Sequence, residues 1–308
     1  MQKEMAYFLG LLVGGGKISN NQISVEFPYK DWSLKNFQIS VDWYNNSVTT
    51  IAPMIKRILN SQVDVRYVPG STPRFYINID NVPTILYNTL TQYGIRPMGE
   101  LRRHAAIQQL MNSIDNICKK SFIQGLADVI GSVRASHRRH SSISPTISFE
   151  IYGENWDLPF QLCQTLHDLG VPVNQILWHH PNMHAGSSPS AYWKKGHKVR
   201  IKAGDYAKIG FGMECKIKGL ENLLTVEQQR RGSISHDGLC PDRRYSCSRC
   251  RKVRHRDEQS TELPPSVRGH FIHFTHICRA LGCPHAPKDW LKTKIPIYMP
   301  TGTRQSTL

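Results

Sequence analysis

Alternation of apolar and polar side chains is the plainest signal along this chain, and it comes in pairs. Val63 and Val65 alternate with Asp64 and Arg66, and Phe75, Ile77 and Ile79 with Tyr76 and Asn78, on either side of a Pro69-Gly70 turn. Patterning of period two predicts two half-buried strands joined as a hairpin. Upstream, Ala6 to Val13 is an apolar run of helical length, and Gly14-Gly15-Gly16 predicts its stop. Strand-like segments follow at Gln22 to Phe27 and Asn36 to Trp43, then a helix over Val48 to Leu59. A third helix, from about Val82 to Tyr93, follows the hairpin, and Gly94-Ile95-Arg96-Pro97 closes the unit.

The same order then returns. A polar helical stretch, Leu101 to Asn116, leads to Phe122-Ile123-Gln124-Gly125-Leu126-Ala127. Beyond it strands are predicted at Ser132 to Ser136 and Pro145 to Ile151, a helix over Trp156 to Leu169, strands at Val173 to Trp178 and Lys198 to Lys202, and helices from Gly204 and Glu214. Residues echo the repeat: Tyr7-Phe8-Leu9-Gly10-Leu11-Leu12 matches Phe122 to Ala127, and Ile39-Ser40-Val41-Asp42-Trp43-Tyr44 matches Ile147-Ser148-Phe149-Glu150-Ile151-Tyr152. A competing alignment pairs Ile23-Ser24-Val25-Glu26 with the second segment; it ranks lower because no helix follows immediately. The pattern predicts an α+β protein built of two αββαββα halves, a pseudo-dimer in one chain. The expected divisions are a first half at 1–100, a linker helix at 101–117, a second half at 118–230 and a basic C-terminal module at 231–308.

Charge narrows the function classes. Of the 308 residues, 39 are Lys or Arg and 23 are Asp or Glu, a formal charge of +16. An excess of this size points to a polyanionic partner, since each Lys or Arg laid on a phosphate track releases a condensed counterion. No apolar run approaches the roughly 18 residues of a membrane span, and the N-terminal segment is too short and Gly-rich for a secretion signal. The expectation is an intracellular, cytoplasmic or nucleoid protein without a membrane partner.

Cysteines divide the chain differently. Cys118, Cys163 and Cys215 stand singly among apolar neighbours, as small hydrophobes do. The other five crowd into the last quarter with several histidines, a pattern of metal ligation in an intracellular chain. Cys247 and Cys250 form a knuckle that Cys278 and Cys283 would complete as a closed tetrahedral zinc site, with Cys240 and His285 as reserve ligands. Arg243, Arg244, Arg249, Arg251 and Lys252 surround the knuckle, a density suited to gripping phosphate.

The two glycine-centred segments, Leu9-Gly10-Leu11-Leu12-Val13-Gly14-Gly15-Gly16 and Gln124-Gly125-Leu126-Ala127-Asp128-Val129-Ile130-Gly131, resemble degenerate copies of the LAGLIDADG helix. The order of elements after each copy is similar to that of the LAGLIDADG homing endonucleases, over about residues 1–230. The resemblance implies two helices in close contact at their glycines, two sheets forming a saddle over the major groove of double-stranded DNA, and acids at the helix ends holding divalent metal. The chain departs from that pattern at the acids: Gly15 and Ile130 occupy the metal-binding positions, and neither binds metal. Matching the strands that lead into the second and third helices of each half gives Asp42 and Glu150, then Asp80 and Lys202. On this reading Asp42 and Glu150 would replace the lost acids as Mg²⁺ ligands, with Asp128 nearby and Lys202 stabilising charge on the scissile phosphate. The plain alternative is that Asp42 and Glu150 lie on a solvated or DNA-facing surface, and that Asp128 hydrogen-bonds the loop after its helix.

Arg66, Arg74, Arg134, Lys198 and Arg200 on strand-like segments, with Arg138 and Arg139 in a loop, form the expected DNA-contacting set. The expected function is a monomeric, sequence-specific endonuclease of homing or restriction type, with Mg²⁺ at a remodelled site and structural Zn²⁺. The alternatives are a non-catalytic DNA-binding regulator and an RNA-binding splicing maturase.

Overall fold

Helix α1 (Lys3–Gly15) runs through two of the three glycines expected to stop it. It ends at Gly16, whose extended backbone (φ −75°, ψ 137°) donates its N–H to Leu12 O and opens strand β1 (Gly16–Ser19). A strand was not expected there; pairing with β2 (Gln22–Pro28), beginning at Gly16 opposite Val25, pulls the chain straight out of the helix. The computed structural model describes residues 1–19, 21–30, 33–34, 37–134, 145–173, 175–181 and 195–232. The cysteine-rich region with Cys240, Cys247, Cys250, Cys278, Cys283 and His285, its basic residues Arg243, Arg244, Arg249, Arg251 and Lys252, and the loop residues Arg138 and Arg139 lie outside the described residues.

After β2 come the two-residue strands β3 (Ser33–Leu34) and β4 (Phe37–Gln38), helices α2 (Val41–Thr49) and α3 (Ala52–Leu59), strands β5 (Gln62–Val68) and β6 (Arg74–Asp80), helix α4 (Thr84–Gln92) and the short strand β7 (Gly99–Glu100). A 3₁₀ turn at Leu101–Arg103 and helix α5 (Gln108–Ser113) connect to α6 (Asn116–Ile130), which is followed by β8 (Gly131–Arg134), β9 (Thr146–Tyr152), α7 (Asp157–Asp168), β10 (Gln175–Pro181), β11 (Lys195–Lys202), α8 (Ala203–Tyr206) and α9 (Glu214–Gly232).

Two expected elements are corrected. The segment expected as a strand over Asn36 to Trp43 is mostly the start of α2: Ser40 caps it by accepting the Trp43 N–H, and Tyr44 and Val48 are buried four residues apart, the spacing of a helix face. The linker helix expected over Leu101 to Asn116 is broken up. Asn155 and Gln161 of the second half bond linker backbone directly, Asn155 Nδ2 donating to Ala105 O and Gln161 Oε1 accepting from the N–H of Ile107 and of Gln108. Side-chain partners satisfy backbone groups that a continuous helix would otherwise have paired internally.

The two large sheets are antiparallel and share a strand order, β5-β6-β2-β1-β7 in the first and β10-β11-β9-β8 in the second. The N-terminal ends of β1 and β8 pair alike, Gly16 opposite Val25 and Gly131 opposite Phe149. On β2, Ile23, Val25 and Phe27 point into the core; on β9, Ile147, Phe149 and Ile151 do.

Between the sheets, α1 packs along α6 by a reciprocal contact. A Cβ on Gly10 would overlap the carbonyl oxygen of Phe122, and one on Gly125 the carbonyl oxygen of Tyr7; the next neighbours are Leu126 N and Leu11 N respectively. Only glycine allows backbones this close. The flanking Phe8, Leu9, Leu11, Leu12, Phe122, Ile123 and Leu126 have no exposed surface, and each such side chain contributes on the order of 1.5–3 kcal/mol by leaving water.

Candidate nucleic-acid interface

The side chains that alternate out of the core give each sheet a polar outer face. On the first sheet, rows run across the strands: Arg66 opposite Tyr76 opposite Glu26, and Asp64 opposite Asn78 opposite Ser24 opposite Lys17. Neighbours across the strands are bonded to one another, Ser24 Oγ to Asn78 Oδ1 at 2.8 Å and, in the row at the end of β2, Gln22 Nε2 to Asp80 Oδ1 at 2.9 Å. On the second sheet, Lys198 lies opposite Glu150, Arg200 opposite Ser148, and Lys202 opposite Thr146. Arg134 is opposite Thr146 on the far side.

The register settles which strands match. Glu26 stands one residue beyond the partner of Gly16, and Glu150 one beyond the partner of Gly131. Glu26 is therefore the counterpart of Glu150, and the lower-ranked alignment of Ile23 to Glu26 is the one the fold adopts. The same register sets Asp80 against Lys202, as expected, since Glu26 faces Tyr76 and Glu150 faces Lys198. Asp42 is exposed in the first turn of α2, an element packed on α9, α3, β5 and β6, and is not on a strand.

Both glutamates are held by pairs of cations. Glu150 Oε2 lies 2.6 Å from Lys30 Nζ, and its Oε1 lies 3.3 Å from Lys198 Nζ. Glu26 Oε1 is 3.2 Å from Arg74, and its Oε2 is 3.9 Å from Arg102. Arg102 continues the chain of charges to Glu100 at 3.2 Å, and Arg103 joins Glu100 to Glu154 and donates to the Tyr152 hydroxyl at 3.1 Å. The guanidinium of Arg103 also sits 4.5 Å over the Tyr152 ring, a cation–π contact. Lys30, Arg102 and Arg103, all on the first-half side of α6, thus tie into β9 and the turn after it. Sequence reasoning missed Glu26, Lys30, Arg102, Arg103 and Tyr152. The signal for Glu26 was present in the alternation of β2; the others depend on contacts between distant segments.

Behind this face, the ends of the paired helices are closed. Asp128 has no exposed surface; its Oδ2 accepts from the Tyr7 hydroxyl at 2.7 Å and from the N–H groups of Gly212 and Met213 at 2.8 and 3.0 Å. Burial pushes its carboxyl up to about 6, against the opposing pull of Lys216 and these hydrogen bonds. Lys216, the third residue of α9, donates from Nζ to the carbonyls of Ala127 (3.0 Å), Asp128 and Gly131 (3.1 Å). Burial brings its ammonium down to about 8, while Asp128 holds it up. A cation at a helix C-terminus is favoured by the helix dipole and by carbonyls without partners. Asp128 is thus a core residue that positions the 212–213 turn, not a group open to solvent. At the other helix end, Gly15 has no room for a side chain, since a Cβ would run into Glu26 O and the Val129 side chain.

The residues expected to hold Mg²⁺ do not fit one. Asp128 is enclosed, Asp42 stands on another element, and Glu150 already faces two ammonium groups whose charge opposes a cation. No cluster of three His, Cys, Asp or Glu suited to a metal occurs among the described residues, and no helix among them is long and apolar enough to cross a membrane.

No protein-family model matches the chain, and no curated protein matches it. Among solved structures, full-length DUF199/WhiA from Thermatoga maritima is similar at 12% identity, with a TM-score of 0.43 over 84% of this chain and 67% of that one. The homing endonuclease I-DmoI is similar in its complex with DNA and Mn, at 15% identity and TM-score 0.37, over 72% of this chain and 97% of that one. Its complex with DNA and Ca is similar at 16% identity and TM-score 0.37, over 72% of this chain and 89% of that one. With TM-scores below 0.5, none of these decides what this chain does.

Proposed function

We propose that this chain is a monomeric, double-stranded DNA-binding protein in which two αββαββα halves, related by a pseudo-twofold axis between α1 and α6, straddle the duplex with the outer faces of their sheets. The observation that carries the reading is the matched strand order of two sheets whose outward positions are polar and interleaved with Arg and Lys. Such a face combines charges that meet phosphate with side chains that reach base edges: Arg66, Tyr76, Asn78, Ser24 and Gln22 on one sheet, and Arg200 and Lys202 on the other. The reciprocal glycine contact supports it, because it locks the two halves at one angle. The C-terminal module at 231–308 is proposed to hold zinc and grip the backbone; about one zinc or more per purified chain by elemental analysis is the expected content.

Phosphodiester cleavage is a second reading: Glu26 and Glu150 occupy matched places beside the two helix ends, and a metal ion would bind there only by displacing the basic side chains that hold them. One experiment tests both. Full-length protein is incubated with a randomised duplex library in Mg²⁺ or in EDTA, and bound and cut molecules are sequenced. Enrichment of one motif in both conditions, without cutting, supports the binding protein; cutting at that motif only in Mg²⁺ supports the enzyme. Failure to enrich any motif would remove the sequence-specific reading.

A further inference from the structure

We infer that Glu26 and Glu150 are tuning residues: each occupies cations that would otherwise bind phosphate, and together they keep sequence-independent attachment to DNA weak. This rests on the DNA-binding reading. The arrangement is the same in both sheets. A single glutamate, one residue beyond the partner of the helix-end glycine, spreads its two oxygens between two basic side chains, one more exposed than the other. On the first sheet these are Arg74 and Arg102, with 51% and 32% of their side chains exposed; on the second, Lys30 and Lys198, with 37% and 3%.

The less exposed partner anchors the carboxylate and the more exposed one is held back by it. Lys198 is too enclosed to follow a phosphate, so it fixes Glu150 in place, and Glu150 fixes Lys30 against the second half. Arg102 is itself held by Glu100 and the Tyr152 ring, so it anchors Glu26, which in turn engages Arg74. A phosphate approaching Lys30 or Arg74 must displace a carboxylate already in contact and bear its repulsion. Both glutamates are about four-fifths buried, which keeps their interaction with the cations from being fully screened by salt. For a chain of formal charge +16, indiscriminate attachment to duplex is the state that needs opposing.

The test is the salt dependence of binding to a random-sequence duplex, measured in EDTA so that no cleavage intervenes, for the full-length protein and for Glu26→Gln, Glu150→Gln and the double variant. Each freed cation should steepen the slope of log affinity against log salt by about 0.9. The double variant should therefore gain about tenfold more than the parent protein as salt falls from about 200 to about 50 mM. Glu221→Gln makes the same change of charge on α9, where Glu221 pairs with Lys218, and should keep the parental slope. Adding Lys30→Gln to Glu150→Gln, or Arg74→Gln to Glu26→Gln, should return the slope to the parental value; the two pairs are independent, so one remains informative if a variant of the other does not fold. Unchanged slopes in the folded Gln variants, or an equal steepening in Glu221→Gln, would overturn the assignment while leaving DNA binding intact. Absence of duplex binding by the parent protein even at about 50 mM salt would overturn the DNA reading itself, and the assignment with it.

Discussion

The C-terminal ends of α1 and α6 have nearly the same backbone and opposite chemistry. Gly16 and Gly131 both leave their helices extended, at φ −75° and −77°, and both return an N–H to the residue four back, Leu12 or Ala127. At α1 the end is sealed by absence: Gly14 and Gly15 leave no side chains, and Val129 and the Glu26 backbone fill the space. At α6 it is sealed by charge, with Lys216 on three carbonyls and Asp128 on Tyr7 and the 212–213 turn. The difference follows from what packs behind each helix. The start of α9 stands against the end of α6, and α9 brings a cation that needs carbonyls and a carboxylate to be buried at all. A shared backbone geometry fixes where side chains stand and leaves open which physics closes the gap.

That contrast can be broken most severely at the contact both helices share. Gly125→Leu puts a side chain into the Tyr7 carbonyl, where backbone must move, and should cost about 3 kcal/mol or more, read as insoluble expression or a collapsed urea midpoint. The charged seal comes next. Asp128→Ala leaves the Tyr7 hydroxyl, two N–H groups and the Lys216 ammonium without their acceptor or counter-charge, for an expected loss of about 3 kcal/mol in denaturant melts. In the Asp128→Asn/Lys216→Met pair the double variant should lose less than the sum of the singles, as coupled groups do.

A gentler probe is pH. The Asp128 carboxyl is raised from 3.8 to about 6, so the folded state holds its proton more tightly than the unfolded chain does. Its contribution is therefore full below about pH 4 and lost as pH rises through about 6. The melting temperature of the parent protein minus that of Asp128→Asn should fall over that window and level off above it. Lys216 behaves oppositely: lowered from 10.5 to about 8, it adds stability as pH rises from about 8 towards 10.5. A flat difference across the acid window would show that Asp128 titrates normally and is not enclosed. Glu150→Gln comes next, since it leaves the enclosed Lys198 ammonium facing a neutral amide; the smallest effect belongs to Glu26→Gln, expected to change stability by no more than about 1 kcal/mol because Arg74 is about half exposed and Arg102 keeps Glu100 and the Tyr152 ring. A larger loss would make those pairs part of the scaffold.

Much of the fold was legible because period-two alternation survives in β2, β5, β6 and β9 and the glycine-centred helices are apolar on most sides. The failures have local causes. Ile39 to Tyr44 carries a strand-like run of three residues, but Ser40 caps a helix there and the buried positions follow helical spacing. That error displaced the carboxylate pair from Glu26 and Glu150 to Asp42 and Glu150, since alternation shows which face a residue takes and not which strand lies beside it. Nothing near Asp128 in the sequence announces Lys216, which lies 88 positions away and meets it only because α9 folds back on α6.

By itself, then, the sequence determined the alternating strands β2, β5, β6 and β9, the glycine contact, the basic excess and the absence of a carboxylate at Gly15 and Ile130, because each depends on residue type at short spacing. The tertiary structure alone decided that Glu26 is the counterpart of Glu150, that both are held by cations drawn from other strands and turns, and that Asp128 is enclosed. Register and burial arise from contacts between distant segments, and they turned four acids of similar appearance into two buttressed surface groups, one exposed helix residue and one buried anchor.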